Sequence, residues 1–222
     1  MSRPWVLTLT LTAAAPTNIA LAQASVGGAL TLNGAAVAGG VATLDTQRLV
    51  GITSSGNDSG ISFLIKGTMA SGQVISETVT GTNGGVAVTK QNFLTVTSAS
   101  AIGAVAGTVS IGTTSTGSSQ WFIVDNVVLP TQIGFELQNL SGAAVATIET
   151  TGNCPLQDMP IYRTGFDFTP PVPEAFPWPT LTAVAADAQG TIQGATIEAW
   201  RATIIGAGSW KISARQTGIT VT

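Results

Sequence analysis

The chain has 222 residues, of which 44% are hydrophobic and only 9% charged, and its formal net charge is -3. That balance describes a folded chain, since disorder needs the reverse, and it leaves no electrostatic footprint for nucleic acid or anionic lipid. Histidine is absent and Cys154 is the single cysteine, which excludes an imidazole base, a histidine-bound zinc, an internal disulfide and a multi-cysteine cluster.

The first segment imitates a secretion signal. Arg3 precedes an apolar run from Trp5 to Ala15, and Ala22-Gln23-Ala24 has the small residues of a cleavage site. The run alternates strictly, however, from Val6 to Thr12. Period two is the mark of a half-buried strand, with Leu7, Leu9 and Leu11 on one face and threonines on the other. Pro16 would also interrupt a helical core of a signal. The strand reading is the stronger. No stretch reaches the roughly 18 continuous apolar residues of a membrane helix, so a soluble protein is expected.

Strand signals continue at 29–32, 37–43, 48–53, 61–68, 74–80, 93–98 and 107–112, punctuated by Asn33-Gly34, Gly39-Gly40, Ala70-Ser71-Gly72 and Asn83-Gly84-Gly85. Short β-branched runs with turn residues between them read as an antiparallel sandwich or barrel. Residues 112–119 (GTTSTGSS) have the composition of a flexible linker. Downstream, strands are expected at Trp121–Val124, Val127–Leu129, Ile133–Leu137, Ala144–Thr150 and Thr180–Val184. A final hairpin should pair Ala199–Ile205 with Trp210–Arg215. Between them, 152–179 is rich in proline, which cannot donate to a ladder, and reads as an excursion. The expected fold is all-β, with two antiparallel sandwich or barrel domains, 1–112 and 120–222, joined by the linker.

Chemical sites are scarce. Gly56-Asn57-Asp58-Ser59-Gly60 offers oxygens, but one carboxylate falls short of a calcium site, and an Asx turn is the simpler reading. No serine stands in a nucleophile elbow. Paired carboxylates are the only remaining route to hydrolysis, for example glycoside cleavage by Asp167 and Glu174. Tyr162, Phe166, Phe168, Phe176 and Trp178 form either a sugar platform or a packing and subunit-contact surface. Cys154 reads as a small buried hydrophobe. No cofactor, metal, nucleic-acid or membrane partner is expected.

One pattern points further. The run Arg48–Phe63 (RLVGITSSGNDSGISF) resembles a motif of virion structural proteins of tailed bacteriophages. There a strand ending in ITS meets a GNDSG turn, and a strand pair of the form GT…G…ETVTG follows. Here that pair runs from Gly67-Thr68 through Gly72 to Glu77-Thr78-Val79-Thr80-Gly81. Phe93–Ser98, Gly107–Gly112, Ala175–Leu181, Ala199-Trp200-Arg201, Gly206–Ser209 and Arg215–Ile219 extend the likeness from about Ala29 to Ile219. The resemblance implies a non-enzymatic component of a virion, made in the host cytoplasm, whose partners are capsid or tail proteins and its own copies. Capsid decoration is the first expectation and a tail-associated part at the neck, nozzle or fibre attachment the second. A carbohydrate- or receptor-binding module, engaging a host-surface glycan, is a third. Trp5, Val6, Leu7, Leu9 and Leu11 are the expected assembly contacts, and removing residues 1–12 is expected to impair assembly while the remainder still folds.

Overall fold

A computed structural model describes residues 3–124, 131–152, 175–193 and 197–218. The chain is all-β, and its ladders among the described residues are antiparallel. Its first half holds β1 (Arg3–Leu11), β2 (Ala15–Gln23), β3 (Gly28–Leu30), β4 (Val37–Ala38), β5 (Val41–Asn57), β6 (Ser62–Thr68), β7 (Val74–Thr80), β8 (Asn83–Ile102) and β9 (Val109–Ser118). The second holds β10 (Phe122–Ile123), β11 (Thr131–Gly142), β12 (Val145–Thr151), β13 (Phe176–Pro177), β14 (Ala188–Gln193), β15 (Ala199–Ile205) and β16 (Gly208–Gly218).

Two sheets result. A small one runs β1-β16-β11-β14, and a 12-stranded one follows the path β13-β12-β15-β9-β5-β8-β6-β7. The first core draws Ile52, Phe63, Ile65, Ile75, Phe93, Val96 and Ile111 from the large sheet alone. A sheet that buries its own face must curl over itself, and register shifts in the β5–β8 ladder supply the bends. The second core is a sandwich. Leu9, Leu11, Phe135, Leu137, Trp210 and Ile212 of the small sheet face Ile148, Trp200 and Ile204 of the large sheet's β12 and β15. Trp200 sits at its centre, stacked on Phe122 at 4.7 Å and edge-on to Phe135 at 5.0 Å.

Four expectations need correction. The stretch 112–119 is not a linker: through Ser118 it lies in β9, where Gly112, Gly117 and Ser118 are buried. Its glycines serve close packing, because a Cβ on Gly112 would sit 2.0 Å from the Ala15 carbonyl oxygen. The first strand also crosses the expected boundary. β1 pairs with β16 along nine residues and gives Leu9 and Leu11 to the second core, so removing residues 1–12 should destabilise that core and not assembly alone. The terminal hairpin is an arch: β15 belongs to the large sheet and β16 to the small one. Trp200 and Trp210 thereby face one core from opposite layers. Finally, 180–184 is not a strand but a single 3-10 turn at Pro179–Leu181 and one bridge between Val184 and Ala146.

Candidate functional site

The two faces of the small sheet differ sharply. Trp5, Leu7, Leu9 and Leu11 on β1, Ile133, Phe135 and Leu137 on β11 and Trp210, Ile212 and Ala214 on β16 turn inward. The alternate residues form a solvent face. Its rows read Val6–Ser213–Glu136–Gln189 and Pro4–Arg215–Gly134–Thr191 across the four strands. No side chain rises from Gly134, whose Cβ direction meets nothing within 4 Å. A shallow concavity of about 440 Å³ lies there, walled by Val6, Glu136, Gln189, Thr191, Ser213 and Arg215. Its open side is β1, an edge strand with no neighbour beyond it among the described residues.

The strand is anchored at its end. Thr12 donates its amide to Asp45 Oδ2 at 2.7 Å and its hydroxyl to the same oxygen at 2.8 Å. Arg48, only 1% exposed, donates from Nη1 to both Asp45 oxygens and from Nη2 to the carbonyls of Thr12 and Thr114. This cluster ties β1, β5 and β9 together where the two cores meet. Burial pushes the Asp45 carboxyl upward, but the Thr12 amide and hydroxyl and the Arg48 guanidinium outweigh it and hold the group below its ordinary 3.8.

Other carboxylates are similarly engaged. Glu77 accepts the amides of Lys90 and Gln91, each at 2.8 Å, and Asp187 accepts the amide of Asn139 at 2.7 Å. Glu149 accepts from Arg201 Nε at 2.6 Å and from Thr203 Oγ1 at 2.9 Å, while the Arg201 guanidinium lies 4.6 Å from the Trp121 ring centre. Asn57 accepts the amide and hydroxyl of Ser59, the expected Asx turn, and buried Asp58 accepts the Ala106 amide. Among the described residues no three His, Cys, Asp or Glu side chains gather as metal ligands. No helix there is long and apolar enough to cross a membrane.

The candidate residues separate accordingly. Of the expected assembly contacts, Leu9 and Leu11 are buried and Trp5 and Leu7 pack on the second core, leaving Val6, 67% exposed, as the side chain that can meet a neighbour. The alternation that identifies the strand is what turns the leucines inward. Tyr162, Phe166, Phe168, Asp167, Glu174, Cys154 and Val127–Leu129 lie outside the described residues. Phe176 is exposed on β13, whereas Trp178 packs against the second core and donates its amide to the Ile148 carbonyl. Sequence reasoning missed Arg48 as the hub, because in a regular strand Asp45 and Arg48 would point to opposite faces. A register shift between Thr43 and Arg48 brings them together.

No protein-family model, curated protein or solved structure matches the chain.

Proposed function

We propose that the protein is a non-enzymatic structural component of a bacteriophage virion, in the first instance a decoration protein of the capsid surface. The observation that carries this reading is the solvent face of the small sheet, threonine-laced along β1 and bounded by that strand's open edge. Such a face fits contact with neighbouring chains, through backbone pairing and many modest contacts repeated by symmetry. The carboxylates at Asp45, Glu77, Glu149 and Asp187 are held in structural hydrogen bonds, which fits a building part better than a hydrolase. The phage-like turn-and-strand motifs between Arg48 and Gly81 agree with it.

The test is cryo-electron microscopy and quantitative mass spectrometry of purified particles carrying the gene. Hundreds of copies on the shell are expected. Six or twelve copies would move the protein to the tail, and particles without it would overturn the reading.

A further inference from the structure

We propose that the open edge of β1 is a self-recognition site: it pairs antiparallel with β1 of a second copy, about a two-fold axis at Thr8, to make one continuous eight-stranded sheet. This deepens the assembly reading and rests on it for its purpose, but it is decided on purified protein alone.

Among the described residues the other main-path edges are shorter or guarded, and β1 is neither. The large sheet ends at β13, two residues long and closed by Pro177, and at β7, where buried Glu77 is an inward charge. β14 is six residues long. Short strands, proline and inward charges are the usual guards against edge pairing. β1 runs nine residues and carries no charge from Pro4 to Leu11.

The register follows from which backbone groups are available. Pro4 lacks an N–H, and a ladder keeps such a residue with its nitrogen turned from its partner strand. Counting by twos, Val6, Thr8 and Thr10 direct their amides and carbonyls to the open edge. An axis at Leu7 would set Pro4 against Thr10 and leave a Thr10 carbonyl without a donor. An axis at Leu9 would set Val6 against Thr12, whose amide is held by Asp45 and whose carbonyl is held by Arg48. An axis at Thr8 avoids both faults. Val6 then faces Thr10 of the second copy and Thr8 faces its own equivalent, giving about six backbone hydrogen bonds, two per facing pair. Pro4, which has nothing to donate, falls opposite Thr12, which has nothing to offer.

The side chains agree with that register. On the outer face Thr8 meets Thr8 and Val6 meets Thr10, both favourable cross-strand pairs. Leu7 faces Leu9 on the inner side, so the apolar layer continues across the junction.

The experiment uses the full chain with Cys154→Ser, so that an introduced thiol is alone. Thr8→Cys places two thiols in one facing pair, with Cα atoms about 5.5 Å apart, within disulfide range. Val6→Cys leaves them about 14 Å apart, four residues along the strand. Under mild oxidation Thr8→Cys is expected to cross-link to a dimer and Val6→Cys to remain single. Light scattering should give a dimer mass for the unmodified chain, and Thr8→Lys, a change at an exposed position, should weaken dimerisation at least tenfold with an unchanged circular dichroism spectrum. A monomer at all concentrations, or equal cross-linking of the two cysteine variants, would overturn the pairing. A monomer found at full copy number on particles would refute this dimer and leave the assembly reading standing.

Discussion

Arg48 and Asp45 show how a residue can matter without carrying chemistry. The guanidinium is withdrawn from water, and breaking such a pair leaves an uncompensated buried charge, a more costly change than never having had the pair. Removing the carboxylate through Asp45→Asn should therefore lower stability by about 2 kcal/mol near neutral pH. The sign of the pH effect follows from the depressed folded-state value. Ionised Asp45 favours the folded chain, so its contribution is whole above about pH 4 and disappears as pH falls through the lower folded value. Urea midpoints of the two proteins should stay a constant distance apart down to about pH 4 and converge below it. A gap that persists unchanged in strong acid would contradict the assignment. Nothing in the local sequence announces this pair, because the bulge that joins the two side chains is set by distant strand partners.

Glycines illustrate at the scale of elements why composition misleads. Gly112 and Gly134 both lie in strands, yet one is pressed against the Ala15 and Pro16 backbone and the other opens onto solvent. Gly112→Ala should cost about 3 kcal/mol, because backbone must move to admit a methyl group. Gly134→Ala should leave stability within about 0.5 kcal/mol of the parent while reducing the concavity. Thermal melts of the two variants check both statements, and similar losses would refute them. Strand identity was legible wherever side chains alternated, as at Val6–Thr12, Ser62–Thr68 and Ile133–Leu137. Strand partnership was not. Ala199–Ile205 and Trp210–Arg215 have the pattern of a hairpin, but both tryptophans must reach one core, and that places the strands in opposite layers. The candidate site was half legible. Alternation located β1, but it could not show that this strand is an edge or that its leucines belong to a core built from the far end of the chain.

Two cores share one molecule, and the tryptophans report on only one of them. Trp5, Trp178, Trp200 and Trp210 lie in or against the second core, and Trp121 stacks under Arg201 of β15. The largest apolar side chains of the first core are Phe63 and Phe93. Tryptophan emission therefore follows the second core, whereas far-ultraviolet circular dichroism follows both. The cores are joined by the β15–β9 ladder, by the Ser119–Ala202 and Gly206–Ser115 hydrogen bonds that flank it and by the Arg48 cluster. Unfolding by urea should give coincident transitions by the two probes in the parent protein. In Arg48→Met the emission transition should fall below that of the dichroism. Coincidence in both proteins would show that the β9–β15 contact suffices alone. The position of β1 also bears on biosynthesis. Ribosomes extend a chain at about 5–20 residues per second, so β1 waits on the order of ten seconds or more for β16, its ladder partner among the described residues, to be made. During that interval the nascent polypeptide trails an unpaired ribbon with one apolar face, and chaperones or sister chains on the same messenger can reach it before β16 does.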